Sequence, residues 1–280
     1  MSDSVYSATG AVAPLREFAE FALINDCVLV VDESHSPGTH GPMGAGMVVE
    51  LGLEGLVHYR TASLAKAFCG PGGIIAGESE LLEMLRFEGA PQVFSSAALP
   101  CNAAGFLRAL TFVRTAVQRR ERVIANADRL REGLRKLGLR LGNSESQIMS
   151  IYPGLEKTTV AVKSYLEERG VFGSVFAWPA TPRKRSLIRF SVRQDHTPDD
   201  IDRVVDVCAG LGKRFAISEW KPLAPDTGSP ATTRSVAGTT GATADVLPAA
   251  GPRLTQVELP DETEARTPAG TSLENRAETP

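Results

Sequence analysis

Residues 27–32 read CVLVVD, a continuous aliphatic run, rich in valine, that ends in Asp32. Such runs are typical of parallel strands buried on both faces, and functional groups in open α/β sheets gather at the carboxyl ends of those strands. The polar loop ESHSPGTHGPMGAG follows directly at 33–46. The sequence therefore predicts an α/β fold with a site where the chain leaves this strand.

A second loop, TASLAKAFCGPGG at 61–73, carries Lys66 at its centre. A lysine on a small-residue loop, about thirty residues after a strand-end aspartate, suits an enzyme that uses pyridoxal phosphate (PLP). Lys66 can form a Schiff base with the cofactor aldehyde, while Asp32 can keep the pyridine nitrogen protonated. A solvated surface lysine is the alternative, but the sequence AFCGPGG that follows Lys66 is poorly explained by it.

Composition narrows the class of protein. With 280 residues, 42% hydrophobic and 22% charged, the chain is of ordinary globular composition. Its formal charge of −3 argues against a protein that binds nucleic acid or an anionic membrane. We find no signal peptide and no apolar run of the roughly 20 residues that a membrane span needs, so we expect a cytoplasmic protein.

The four cysteines are widely spaced and form no CxxC pair, which suggests neither a disulfide framework nor a zinc ribbon. We expect reduced, buried thiols at Cys27, Cys69, Cys101 and Cys208.

Periodicity divides the chain into three parts. We predict a partial PLP-binding large domain over 1–125, with short strands at 57–61 and 72–77. A single long helix from about Asn102 to Leu137 should connect it to a small C-terminal α/β domain over 126–220. Residues 221–280 are rich in Pro, Thr, Ala, Gly and Glu and are predicted to be a disordered tail.

The segments DESHSPGTHGPMGAG and TASLAK resemble the α-oxoamine synthases, fold-type I PLP enzymes that condense an amino acid with an acyl-CoA and release CO2. Within that family they look closest to the subgroup that makes α-hydroxyketone quorum-sensing autoinducers. The resemblance extends from Asp3 to about Phe215 and implies a cofactor, PLP, and a homodimer. It does not indicate which amino acid or acyl chain is used.

The resemblance also assigns roles to single residues. Asp32 would pair with the pyridinium nitrogen, and His35 would lie near the phenolic oxygen of the cofactor. Ser63 would contact the phosphate, and Lys66 would bind the aldehyde and then transfer protons.

Three further residues are assigned by the same comparison. Ser7, in DSVYSATG, would lie beside the cofactor, and Ser96, in FSSAALP, would reach the phosphate of the partner subunit. Arg189, in SLIRFSV, would receive the substrate carboxylate through two parallel hydrogen bonds. A turn-capping Ser7, a pre-helical Ser96 and an exposed strand Arg189 are the structural alternatives.

Other functions stay open at this point. A fold-type I aminotransferase would use the same Asp, Lys and Arg. The amino-terminal part of the family, with its phosphate-cradling turn and ring-stacking aromatic, has no counterpart in these residues, so a catalytically inactive fragment or an interaction protein is a further alternative. The segment GPMGAG does not match a dinucleotide-binding loop, and His35, His40 and Asp32 lack a fourth metal ligand, so we expect no metal.

Overall fold

The first half of the chain forms a four-stranded sheet. The computed structural model describes residues 1–95 and 98–221. The strands of this sheet are β1 (Ser2–Asp3), β2 (Val30–Asp32), β3 (Tyr59–Ser63) and β4 (Gly73–Gly77), in that spatial order. β1, β2 and β3 are parallel, and β4 runs antiparallel to β3. The predicted buried strand at 27–32 is thus confirmed in its last three residues, whereas β1 was not predicted.

Three residues of this sheet lie side by side. In the parallel register Asp3 is opposite Asp32, and Asp32 is opposite Thr61. Residues in register point to the same face of a sheet. The three strands therefore bring two carboxylates and a hydroxyl together on one face.

The helices of the first half differ in burial. They are α1 (Leu15–Ile24), α2 (Met47–Glu50), α3 (Ser79–Glu88), α4 (Ala90–Val93) and α5 (Pro100–Thr115). α1 has the ten residues that its periodicity predicts, and it packs through its buried face into a core that includes Val31 and Met47. Every side chain of α3 and α4 is at least partly exposed.

An apolar surface extends over β4 and the helices that follow it. Ile75 is 50% exposed, Phe87 79%, Phe94 87% and Leu107 55%. Large side chains exposed in such a contiguous stretch of the chain mark a surface that other apolar groups can cover. β4 is also one of the two edge strands of the sheet, with β1 at the other edge, so its outer backbone groups are available for pairing.

The long connecting helix is interrupted. The prediction of one continuous helix from 102 to 137 is wrong, because α5 ends at Thr115 and α6 (Val117–Lys136) begins after Ala116. Ala116 has a ψ of 46°, outside the helical range. The Arg120 side chain donates from Nη1 to the carbonyl of Val113 at 2.5 Å, which satisfies a backbone acceptor that the break releases.

The second half forms a separate antiparallel sheet. Its strands β5 (Ile148–Gly154), β6 (Ser174–Phe176) and β7 (Ser186–Ser191) have the spatial order β5-β7-β6. The helices are α7 (Glu156–Glu167), α8 (Pro198–Ala209) and α9 (Leu211–Arg214). α8 begins at a capping box in which Thr197 and Asp200 satisfy each other's backbone N–H groups.

A second core fills the space between this sheet and helices α6, α7 and α8. Leu134, Ile151, Val162 and Ile188 are fully buried in it. The strand and helix order predicted for the small α/β domain is therefore confirmed. All described residues belong to one compact unit, so the boundary near 125 stays a prediction. The predicted tail lies outside the described residues, apart from the exposed Lys221.

The expectation of buried thiols is wrong for three of the four cysteines. Cys27, Cys69 and Cys101 are exposed, because they lie in loops or at a helix start on the surface. Only Cys208, on the inner face of α8, is buried, and burial raises its pKa to about 12. All four are free. Among the described helices we find none with the length and apolar character required to cross a bilayer.

Candidate active site

Asp32 lies at the centre of the site with both of its carboxylate oxygens held. The backbone N–H of Ser34 donates to Oδ1 at 2.8 Å, and the hydroxyl of Thr61 donates to Oδ2 at 3.0 Å. Burial alone would raise the pKa of Asp32, but the hydrogen bonds from Ser34 and Thr61, with the nearby His35, outweigh burial and lower it. The carboxylate is therefore fixed in place and ionised at neutral pH.

A buried ion pair supports the loop behind Asp32. Glu33 is 1% exposed, and Arg60 donates to it from Nε at 2.5 Å and also to the carbonyl of Ala45. Glu33 accepts a second hydrogen bond from the backbone of Val48 at 2.8 Å. Gly46, with a φ of +104°, is required here because a Cβ would lie 2.5 Å from the Glu33 carboxylate. The loop that carries His35 is thus anchored at its far end.

Three of the predicted residues act electrostatically on His35. Burial lowers its pKa most, the positive charges of Lys66 and Arg189 lower it further, and the charge of Asp32 opposes them. All three predicted partners therefore lie near enough to act on one half-buried imidazole. The Gln147 side chain, from the start of β5, donates from Nε2 to the carbonyl of His35 at 2.9 Å. It links the second sheet to the His35 loop.

Ser63 is the last residue of β3, and Lys66 lies in the turn that follows it. The backbone N–H of Ser63 donates to the hydroxyl of Ser34 at 2.8 Å, which connects the lysine loop to the loop after Asp32. The Ser63 hydroxyl accepts a hydrogen bond from the N–H of Ala65 at 3.3 Å. Lys66 is exposed, and its carbonyl accepts a hydrogen bond from the N–H of Cys69. Its amine is therefore accessible to a reagent in solution.

A hairpin near the start of the chain joins both halves at the site. Val5 and Val12 pair across it, and its tip contains Ser7. Arg189 donates from Nη1 to the carbonyl of Ser7 at 3.0 Å, and Ser150 donates to the carbonyl of Ala8 at 2.6 Å. Ser150 and Arg189 are themselves register partners in β5 and β7.

One edge of the Arg189 guanidinium has no protein partner. Its Nε is buried, and none of the described residues accepts a hydrogen bond from it. Burial lowers the pKa of Arg189. A buried donor on a charged group is costly when unpaired, so this edge is suited to an anionic ligand.

A cavity of about 340 Å³ opens beside Asp3 and the hairpin. Its lining includes Tyr6, Ser7 and Asn143. Asp32, His35, Lys66 and Arg189 are not among its lining residues, so the cavity borders the site only through Asp3 and Ser7.

The site contains residues that the sequence analysis did not select. Thr61 is two residues before Ser63 on β3, and the period-two alternation of a strand could have placed both on the same face. Asp3 and Gln147 enter the site through strand register and a long-range contact, for which the sequence holds no local signal. Ser96, proposed from its motif, lies outside the described residues.

Most of this chain is similar to known proteins. The family model for aminotransferase class I and II matches residues 1–207. The CAI-1 autoinducer synthase of Vibrio campbellii is 45% identical over 206 residues, which cover 74% of this chain and 52% of that protein. The 8-amino-7-oxononanoate synthase of Coprothermobacter proteolyticus is 32% identical over 217 residues, covering 78% and 55%.

A solved structure has the same fold as this chain. Serine palmitoyltransferase from S. paucimobilis, solved with PLP and myriocin bound, superimposes with a TM-score of 0.73 at 28% identity, covering 78% of this chain and 55% of that one. The chain spans about half the length of the relatives that it matches. It belongs to the aminotransferase class I and II family, with the fold of the fold-type I PLP transferases, and its relatives there are α-oxoamine synthases.

Proposed function

We propose that this chain carries the catalytic site of a PLP-dependent acyltransferase that condenses an amino acid with an acyl-CoA. The observation that carries the proposal is the Asp32 carboxylate, held by Ser34 and Thr61 beside the loop of Lys66. The site combines this ionised carboxylate with the exposed Lys66 and with Arg189, whose Nε has no acceptor among the described residues. The similarity to a CAI-1 autoinducer synthase supports a product used as an autoinducer.

The chemistry of the described residues fits PLP. Asp32, held by two hydrogen bonds, offers a fixed negative charge to a protonated ring nitrogen. Lys66 would hold the cofactor aldehyde through Nζ, and the Ser63 hydroxyl would donate to the phosphate. His35 and Ser7 would border the ring. The buried, unpaired Nε of Arg189 marks the position for the substrate carboxylate.

When bound, PLP supplies an electron sink for negative charge at the α-carbon of an amino acid. Arg189 would fix the amino acid by its carboxylate, using the guanidinium edge that does not contact Ser7. Lys66 Nζ would then accept the proton from the α-carbon and later return it. The lowered pKa of His35 keeps its imidazole neutral at pH 7, which lets it donate or accept a hydrogen bond without adding a positive charge.

The overall reaction balances with one proton taken up from water, which protonates the α-carbon after CO2 has left. A carbon–carbon bond forms between the α-carbon and the thioester carbonyl, the carbon–sulfur bond breaks, and CoA leaves as the thiol. The bond to the carboxylate breaks and CO2 leaves. The product is an α-amino ketone.

The proposal is tested by incubating residues 1–280 with PLP, an amino acid and a panel of acyl-CoA thioesters. We expect release of CoA thiol with an α-amino ketone by mass spectrometry, abolished by Lys66→Arg and retained by the surface control Lys213→Arg. A free oxo acid without CoA release would indicate an aminotransferase. If neither product forms although Lys66 binds PLP, the acyltransferase proposal fails for this chain.

We also propose a homodimer that is located in the cytoplasm. The exposed apolar side chains of α3 to α5, such as Phe87 and Leu107, offer a surface for a second copy. The free cysteines support a reducing compartment. A sedimentation mass near twice the 29.8 kDa of the chain would support the dimer, and a monomeric mass up to high micromolar concentration would contradict it.

A further inference from the structure

Two carboxylates lie next to each other in the first sheet. Asp3 on β1 and Asp32 on β2 are register partners in a parallel pair, and Thr61 on β3 is opposite Asp32 on its other side. Two like charges so placed oppose each other's ionisation. The carboxylate that receives more hydrogen bonds should therefore ionise at the lower pH.

The hydrogen-bond donors are distributed unequally between them. Asp32 receives the Ser34 N–H at 2.8 Å and the Thr61 hydroxyl at 3.0 Å, and the Ser34 side chain also lowers the pKa of Asp32. No residue in the described part of the chain donates to the Asp3 side chain. Burial, and then the charge of Asp32, raise the pKa of Asp3, whereas the pKa of Asp32 is lowered in spite of burial.

Thr61 is held so that its hydroxyl stays directed at Asp32. Its carbonyl accepts a hydrogen bond from the N–H of Glu33 at 2.7 Å, which ties β3 to the residue after Asp32. The branched Cβ of a threonine restricts χ1 in a strand. The donor is thus fixed by backbone pairing and costs little side-chain entropy.

We propose that Thr61 is a positioning residue that makes Asp32 the first carboxylate of the Asp3–Asp32 pair to ionise, because its hydroxyl donates to Asp32 Oδ2. The role of Thr61 in catalysis rests on the proposed function, because Asp32 is the carboxylate that would face the ring nitrogen. The distribution of charge itself is a property of this chain without cofactor. Other charged groups near Asp32 are His35 in the following loop, with Lys66 and Arg189 beyond it.

The test is a ¹³C-carboxyl NMR titration of the full chain with labelled aspartate, assigned with Asp3→Asn and Asp32→Asn. Thr61→Val keeps the shape of the side chain and removes the donor. We expect the Asp32 midpoint to move to higher pH and the Asp3 midpoint to move to lower pH. Thr61→Ser should restore both. Thr159→Val, which removes a buried hydroxyl from α7, should move neither.

The inference would be overturned if circular dichroism shows that Thr61→Val is folded and both titration midpoints are unchanged in it. So would a failure of Thr61→Ser to restore them. If Thr61→Val does not fold, Thr61→Cys gives a side chain of similar size with a weaker donor. It should move both midpoints in the same directions, and unmoved midpoints in it would be equally decisive.

A second readout uses the cofactor. Loss of a hydrogen bond to a charged group should weaken PLP binding to Thr61→Val about tenfold while Lys66 remains the labelled residue. Failure to label Lys66 in the unmodified chain would remove the proposed function, yet the titration would still decide the role of Thr61. Unmoved midpoints with normal labelling of Lys66 would remove only the inference about Thr61.

Discussion

Arg189 on β7 donates from Nη1 to the backbone carbonyl of Ser7 at 3.0 Å, a hydrogen bond between residues from opposite ends of the described chain. The remaining edge of its guanidinium, with the buried Nε, is unpaired among the described residues. Arg189 thus connects the hairpin of the first half to the second sheet and keeps one charged donor without an acceptor among the described residues.

We predict that Arg189→Ala weakens amino-acid binding by about 2–4 kcal/mol while PLP still binds to Lys66, because a two-point contact to a carboxylate is lost. Spectroscopic titration of the PLP-loaded protein with amino acids measures this change. Arg193→Ala is the matched control, since Arg193 pairs with Asp195 at the surface. An unchanged affinity in Arg189→Ala would make Arg189 a structural residue.

The hairpin that carries Ser7 depends on a glycine. Gly10 has a φ of +73°, and a Cβ there would lie 1.8 Å from the carbonyl oxygen of Ile148. We predict that Gly10→Ala lowers the free energy of unfolding by about 3 kcal/mol, from backbone strain and the displaced strand. Urea denaturation measures the loss.

A substitution at Gly105 is the control, because it should change the free energy of unfolding in the opposite direction. It lies inside α5 with nothing within 4 Å of an added Cβ, so Gly105→Ala should raise the free energy of unfolding by about 0.5–1 kcal/mol. If Gly10→Ala and Gly105→Ala change the free energy of unfolding equally, the hairpin does not stabilise the contact between the two sheets.

The sequence predicted most of the fold and part of the site. The run CVLVVD and the small-residue loop around Lys66 are local signals, so Asp32 and Lys66 could be selected from sequence alone. The two residues of β1 form a strand only because β2 pairs with them, and Ala116 breaks a helix whose periodicity continues on both sides. Asp3 and Gln147 reach the site through tertiary contacts, which no local pattern encodes.

Stability should depend on pH through His35. Its pKa in the folded protein is lowered from the ordinary 6.5, first by burial and then by Lys66 and Arg189, so the unfolded chain binds the proton more readily. The contribution of His35 to the free energy of unfolding is therefore fully present above about pH 6.5. It is lost as the pH drops toward the pKa of His35 in the folded protein. The raised pKa of Asp3 acts in the opposite direction closer to pH 4.

We predict that His35→Gln flattens the dependence between pH 6.5 and 5, measured as urea midpoints at half-unit intervals. A slope in that interval that is identical with and without His35 would contradict the assignment.

The free edge of β4 should promote self-association. Ile75 is the central residue of the edge strand and is 50% exposed. We predict concentration-dependent association of residues 1–280, reduced by Ile75→Lys because a charge on an edge strand opposes pairing. Ile24→Lys, at a position that is 81% exposed on α1, should leave association unchanged. Sedimentation velocity separates these outcomes, and equal association of both variants would remove β4 from the interface.

The central claim is that Lys66, in the loop that Ser63 connects to the loop after Asp32, binds PLP. The most direct measurement is to incubate the full chain with PLP, reduce it with borohydride and locate the pyridoxyl group by peptide mapping. We predict that Lys66 is the main labelled residue, and that Asp32→Asn reduces its labelling while Asp202→Asn, a surface control, does not. Labelling spread over the surface lysines in proportion to their exposure, with none favouring Lys66, would contradict the claim.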